Sequence, residues 1–332
     1  MTRRLIACGW TKDTERLLAL LASRAHFEAV AVADTRPTAL AGAGAATDLP
    51  RYHHTLEAVR RLEHDVVLID GVEDASALVE AAASRGAAIL LRGDPADADA
   101  LDAAAEAANA GGAALVLVRP LLRSAGLAFF NAQLGERRWR PHFVSVEIEG
   151  RRPALALLRD ALAAYTRLLP APPTALGASH AGARTAPDVI SAHLRLPEGA
   201  VAVITARRGP WNGLRIRALA AAGSAELDAT DEHTTLTIAP EDRPIESTRL
   251  RHGDLLAAEV DRIAASPRGD ALDALLAPRE AAVLRAIERA LTGDLAQPVE
   301  DRALRPALRV LRGGERAPSV PVPQPHFTLL SS

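Results

Sequence analysis

The stretch Arg4-Leu5-Ile6-Ala7-Cys8-Gly9-Trp10-Thr11-Lys12-Asp13-Thr14 sets the reading of the whole chain. An apolar run ends at a glycine and passes into Leu17, Leu18, Leu20 and Leu21, which recur at helical spacing. A buried strand, a tight turn and an amphipathic helix are expected in that order. The unit then repeats. Ala29 to Ala33 ends in Asp34, and Asp65 to Ile69 ends in Asp70. Ala87 to Leu91 runs into Arg92-Gly93-Asp94-Pro95, and Ala113 to Val118 reaches Arg119-Pro120. Ala-rich helical stretches such as Ala75 to Ser84 and Asp97 to Asn109 lie between. Unbroken apolar strands alternating with helices predict βαβ units and a parallel sheet buried on both faces.

Sheets of this Rossmann type take ligands beyond the carboxyl ends of their strands, so the residues at those ends carry the functional reading. The dinucleotide fingerprint there is G-x-G-x-x-G, and this chain keeps only its first glycine, Gly9. Thr11 stands where a glycine lets backbone approach a pyrophosphate, Thr14 where one lets helix and strand pack closely, and Trp10 adds bulk. Two readings stay open. The hydroxyls of Thr11 and Thr14, Lys12 and the helix amides attract an anion, or the turn is filled and only packs. Asp34 is spaced to accept hydrogen bonds from an adenosine ribose, favouring NAD over NADP, with Arg36 moderating that preference. A turn-forming acid at a strand end is the other reading. Asp70, Glu73, Asp74 and Asp94 would repel a pyrophosphate. They read as solvated acids, not as a hard-cation site, so no metal is expected. NAD or NADP binding is expected to be weak or absent.

The second half changes period. His142 to Glu149 alternates, a helix runs from Ala154 to Leu169, and Pro170 to Pro173 ends it. Strands follow at Val189 to Leu196, Ala200 to Ala206, Leu214 to Ala220, Ala225 to Asp228, Thr234 to Ile238 and Glu246 to Leu250. Ile190, Ala192 and Leu194 share one face of the first, and Ser191, His193 and Arg195 the other. That alternation predicts a largely antiparallel sheet with one face on a core. Helices return at Leu255 to Ala265 and Pro278 to Leu291, before a Pro-rich tail. The fold class is α/β: a doubly wound parallel sheet over residues 1–122, an α+β unit with a large open sheet over 123–300, and an extension over 301–332.

Composition narrows the partners. A formal net charge of -2 shows no electrostatic footprint for nucleic acid or an anionic membrane. Cys8 is the sole cysteine, which excludes intrachain disulfides and cysteine metal clusters. The apolar run after Arg3-Arg4 is too short for a signal peptide, so a cytoplasmic protein is expected. Lys12 is the only lysine, which leaves no other for catalysis.

The order of a dinucleotide-type half, a helix and a large open sheet resembles the Gfo/Idh/MocA (glucose-fructose oxidoreductase/inositol dehydrogenase) family over roughly Arg3 to Val299. The stretch from Asp188 to Ile204, with Pro197-Glu198-Gly199 at its turn, looks like the family's paired strands. Gly223-Ser-Ala-Glu-Leu-Asp228 looks like a further strand start of that family. The resemblance implies nicotinamide-dependent oxidation or reduction of sugars, cyclitols and related polyols. It also implies a homo-oligomer packed through the outer face of the second sheet. In the family the fourth strand ends in Glu-Lys-Pro, whose lysine contacts substrate; here Arg92-Gly93-Asp94-Pro95 takes that place. Arg92, Asp94, Arg119 and Arg123 are the substrate-contact candidates. An arginine cannot replace the lysine as a proton relay, because it stays charged. The family's next helix carries an Asp-x-x-x-His motif, yet no histidine lies between Arg151 and Ser179. Asp160 and Tyr165 are the catalytic candidates that remain. The expectation is a catalytically impaired or non-catalytic homologue that binds a sugar- or polyol-like ligand or a partner. The alternative is an active NAD(P)-dependent oxidoreductase with a rebuilt site.

Overall fold

The computed structural model describes residues 2–72, 75–92, 98–110, 114–169, 172–183, 186–230, 233–251, 254–265 and 271–292. The first sheet contains β1 (Arg3–Cys8), β2 (Phe27–Ala33), β3 (Arg51–Tyr52), β4 (Val66–Asp70), β5 (Ala88–Arg92) and β6 (Leu115–Leu117). All pairings are parallel, in the order β3-β2-β1-β4-β5-β6. The order reverses between β1 and β4, and there the carboxyl ends splay into a crevice. Five helices connect these strands: α1 (Lys12–Arg24), α2 (Pro37–Ala46), α3 (Thr55–Arg61), α4 (Ala75–Ser84) and α5 (Ala98–Asn109). Val66, Val67, Leu68 and Ile69 are all fully buried, as expected for a strand covered on both faces.

A short turn at Pro120–Arg123 leads into α6 (Ala125–Glu136), β7 (Phe143–Gly150) and α7 (Ala154–Leu168). The second sheet continues through β8 (Ala175–Ala183), β9 (Ala186–Arg195), β10 (Val201–Arg208), β11 (Gly213–Ala220), β12 (Gly223–Thr230), β13 (His233–Pro240) and β14 (Glu246–Arg251). Its order is β14-β13-β12-β11-β7-β10-β9-β8, antiparallel except for the β7–β10 pair. Alternation decides which side is covered: Ile190, Ala192, Leu194, Ala202, Ile204 and Ala206 are buried. Facing the other way, Arg215 and Arg217 of β11 meet Asp228 and Glu226 of β12 across the strands, at 2.9 and 3.1 Å. No helix among the described residues is long and apolar enough to cross a membrane.

Several elements escaped the sequence reading. The short β3 and α2 are one case, since α2 (PTALAGAGAA) has almost no amphipathic stripe. The small residues of β8 likewise carry no apolar alternation. The last helix, α9 (Ala271–Thr292), starts seven residues before the expected Pro278. Pro278 sits inside it despite lacking a donor, where packing against α5, α7 and β8 holds the helix together. The extension over 301–332 lies outside the described residues.

Helix α8 (Leu255–Ala265) packs on α1 and on the Pro120–Arg123 turn. Together α8 and α9 close the free edge of β6 with side chains. Asp273 Oδ2 accepts from the Leu117 amide at 2.9 Å, and Glu259 Oε1 from the Arg119 amide at 3.0 Å. Arg262 Nη2 donates to the Leu117 carbonyl at 3.0 Å. An edge strand that would otherwise present unpaired backbone is thereby satisfied.

Candidate functional site

At the end of β1 the chain must turn beneath β4. Gly9 does so at φ +95°, and a Cβ there would overlap the carbonyl oxygen of Asp70. No other residue fits, which is why the first glycine of the fingerprint survives. The next positions are used differently. Thr11 caps α1: its hydroxyl accepts from the Thr14 amide at 3.1 Å, while the Thr14 hydroxyl accepts from the Thr11 amide at 3.1 Å. This reciprocal capping box satisfies helix amides from within the loop itself. The Trp10 amide donates to Asp34 Oδ2 at 2.9 Å, and the Glu15 amide to the Thr11 carbonyl. Among the described residues only the amides of Lys12 and Asp13 in this turn have no acceptor within the chain. The Trp10 ring is buried against α2, alongside Leu40 and Gly42.

Asp34 is fully buried and its carboxylate is saturated. Besides Trp10, it accepts from the Arg36 amide at 2.8 Å, Arg36 Nε at 3.0 Å and Arg36 Nη2 at 2.7 Å. These four bonds use every acceptor direction a carboxylate offers. Burial pushes its pKa up, but the bonds from Arg36 and Trp10 prevail and hold it below the ordinary value.

A second carboxylate stands beside the helix start. Thr14, fully buried, donates its hydroxyl to Asp70 Oδ2 at 2.6 Å. Arg92, the register partner of Asp70 on β5, donates to the same oxygen at 2.7 Å and to Asp13 Oδ2 at 2.6 Å. Burial works against the charge of Arg92, yet Asp70 and Asp13 hold its pKa above the usual value. The first turn of α1 therefore carries its own acids, Asp13 and Glu15, which already complement the helix dipole.

Between the two sheets lies a cleft of about 980 Å³. Asp13, Arg16 and Arg92 line it from the first sheet, Asp160 and Arg152 from the α7 side, and Trp211 and Asn212 from the loop before β11. Asp160 is tied to Arg152, and Arg16 reaches Asp254 at 2.6 Å. The other expected residues are distributed otherwise. Tyr165 lies in the core under the second sheet, 1% exposed, with no hydrogen-bond partner for its hydroxyl among the described residues; burial pushes its pKa up. Arg119 is buried and paired through both terminal nitrogens with Glu280, at 2.7 and 2.5 Å. Burial opposes its charge, and Glu280 more than compensates, holding the guanidinium above its usual range. Arg123 ends the short turn before α6. Asp94, Glu73 and Asp74 lie outside the described residues.

The structure thus gathers Asp34 with Trp10 and Arg36, and Thr11 with Thr14, Asp70 and Arg92. It leaves Tyr165 and Arg119 in the interior. Sequence reasoning missed Arg16, Arg152 and Asp254 in the cleft, and Glu259, Asp273 and Glu280 beneath it. Arg16 carried one available signal: it follows Asp13 by three residues, on the same helix face. Among the described residues no group of three His, Cys, Asp or Glu side chains is arranged to hold a metal ion.

A doubly wound sheet joined through a cleft to a large open sheet is the fold of Gfo/Idh/MocA-type oxidoreductases, as the sequence resemblance implied. Among solved structures, the chain is similar to the aldose-aldose oxidoreductase of Caulobacter crescentus complexed with glycerol. The TM-score is 0.68 and the identity 16%, over 90% of this chain and 100% of that one. It is similar also to an oxidoreductase from Agrobacterium radiobacter in complex with NAD+, L-tartaric acid and magnesium, with TM-score 0.71 and 13% identity over 90% and 99%. A third is the 3-ketoreductase KijD10 of Actinomadura kijaniata, in complex with TDP-benzene and NADP, with TM-score 0.73 and 15% identity over 87% and 98%. At these identities the likeness is one of fold. No protein-family model matches the chain, and no curated protein does.

Proposed function

We propose that this chain is a divergent oxidoreductase homologue, catalytically impaired or non-catalytic, that binds NAD(P) weakly or not at all. Its cleft would hold a small sugar- or polyol-like ligand or a partner. One observation carries this reading: most of the groups that would receive a dinucleotide are already bonded to one another, which leaves the amides of Lys12 and Asp13 in this turn. A pyrophosphate needs loop amides, and those of Trp10, Thr11, Thr14 and Glu15 are committed. An adenosine ribose needs free lone pairs on Asp34, and Trp10 and Arg36 hold all of them. The Asp70 and Asp13 carboxylates add repulsion where phosphate oxygens would approach. As arranged, these residues do not fit the cofactor.

The cleft itself suits hydroxyl-rich ligands. Asp13, Asp160 and Asp254 accept, Arg16, Arg92 and Arg151 donate, and Trp211 offers a flat apolar wall. Fluorescence titration with NADH and NADPH tests the reading. Neither is expected to saturate below millimolar concentration, and micromolar binding of either would defeat it.

The second reading is an active NAD(P)-dependent oxidoreductase acting on a sugar, cyclitol or related polyol. The open cleft at the strand ends favours it, with Asp160 and Arg92 on its walls. The structural neighbours point the same way: one is an aldose-aldose oxidoreductase complexed with glycerol, one holds NAD+ with L-tartaric acid, and one holds NADP with TDP-benzene. Under either reading we place the protein in the cytoplasm, with a buried single Cys8. We also infer a homo-oligomer through the outer face of the second sheet, where Val201 and Leu219 are exposed beside the Arg215–Asp228 ladder. A light-scattering mass equal to one chain would remove that assembly.

A further inference from the structure

The second sheet has a pocket at the end away from the cleft, and its origin lies in how two helices share the sheet. Helix α7 covers β7, β9 and β10, while α6 covers β12 and β13. The stretch of β11 between them meets the gap with Ala218, a side chain too small to fill it. A cavity of about 490 Å³ results, roughly the volume of sixteen liquid waters at ~30 Å³ each. Phe130, Val144 and Ala218 close the pocket from behind and are themselves shut off from solvent, while the half-buried Leu134 and Trp139 form its accessible apolar wall. A Cβ on Gly223 would come within 3.0 Å of the Trp139 ring, so β12 fixes that wall from behind.

The charged residues that line the mouth are Arg138, Arg140 and Arg167, with no acid lining it among the described residues. The carboxyl ends of α6 and α7 point the same way and contribute about half a negative charge each. The exposed guanidinium groups of Arg138 and Arg140 outweigh them and leave the mouth net positive. Arg167 also leans on Asp273, at 3.5 Å. Arg137, next in sequence, is consumed by Glu246 and by the Trp139 ring. Arg138 and Arg140 are exposed and have no ion-pair partner among the described residues.

Helix α6 ends in a Schellman-type turn: the Trp139 amide donates to the Leu134 carbonyl at 3.0 Å, which puts Arg138 at the left-handed position, φ +52°. Glycine is the favoured residue there, because a Cβ makes that conformation costly. The turn thereby sets the Arg138 side chain at the lip of the pocket, at a backbone cost that glycine would not carry.

We propose that this pocket binds an aryl carboxylate, its ring against Trp139 and Leu134 and its carboxylate between Arg138 and Arg140. Guanidinium groups receive carboxylates through paired, charge-assisted hydrogen bonds, and the Trp139–Leu134 wall supplies the remaining affinity. The site is independent of the cleft and of whether NAD(P) binds. Calorimetric titration of the full chain with 2-naphthoate tests it, with the uncharged isostere 2-naphthamide as comparator. Naphthoate should bind saturably at one site per chain, about tenfold tighter than the amide, the worth of one charge-assisted contact. Arg138→Gly should relieve the backbone and keep or raise the melting temperature, while weakening naphthoate about tenfold for the same reason. Arg138→Ala/Arg140→Ala should erase the preference for the charged ligand. Equal affinity for acid and amide would overturn the proposal. So would absence of saturable binding, or naphthoate binding that survives in Arg138→Gly and in the double variant.

Discussion

The guanidinium of Arg36 closes on the carboxylate of Asp34, donating from Nε at 3.0 Å and from Nη2 at 2.7 Å. The pair spans two residues of sequence, and Arg36 remains half exposed while Asp34 is wholly buried. The acid is thus held by a latch that can reach solvent.

Removing the latch should change cofactor affinity before it changes the fold. In Arg36→Ala, Asp34 keeps its bonds from the Trp10 and residue-36 amides but regains two lone pairs for a ribose. NADH should bind tighter than in the wild type by about tenfold, the worth of one hydrogen bond to a charged group. A fluorescence titration decides it. Weaker binding in the variant would show that Arg36 helps to hold the dinucleotide.

Asp34 also sets a pH dependence. Its folded pKa lies below its unfolded value of about 3.9. The stability it contributes is therefore present in full above that value and is lost as pH falls towards the folded pKa. Urea denaturation of the wild type and Asp34→Asn should show a constant gap from about pH 7 to pH 5 that narrows below about pH 4. A gap that widens on acidification would mean that the sign of the shift is reversed.

The Arg119–Glu280 pair joins the end of β6 to α9 and is almost completely buried. Breaking one partner leaves a buried charge, so Glu280→Gln should cost about 3–5 kcal/mol in a denaturation experiment. Replacing both, as Arg119→Met/Glu280→Leu, should lose much less. If the double variant were as unstable as the single one, packing rather than charge would govern this contact.

Tyr165 makes the opposite prediction. Its hydroxyl is buried with no hydrogen-bond partner among the described residues. Tyr165→Phe should therefore leave stability unchanged or raise it by up to about 1 kcal/mol, since the unpaired hydroxyl carries a desolvation cost. A thermal melt checks this, and a clear loss of stability would reveal a partner for the hydroxyl. Any activity on a cleft ligand should be retained, because Tyr165 does not line the cleft.

The strands and helices that make the fold were legible because burial imposes a period. Val66 to Ile69 had to be a covered strand, and Ile190, Ala192 and Leu194 had to face a core. Gly9 was legible as a required glycine, and Thr11 and Thr14 as departures from the dinucleotide fingerprint. Elements lacking a period, such as α2 and β8, left no such trace.

What the sequence determined alone was the order of two sheets and the absence of a lysine and a histidine where the resembled family carries them. Tertiary structure decided what fills those places. Asp70 and Arg92 are 22 residues apart, yet adjacent strand pairing sets them side by side, within reach of Thr14 and Asp13. Arg119 and Glu280 meet across 161 residues because α9 returns to the first sheet. Local periodicity records which side of an element is buried. It does not record which distant side chain arrives there, since that depends on how the helices and sheets pack together.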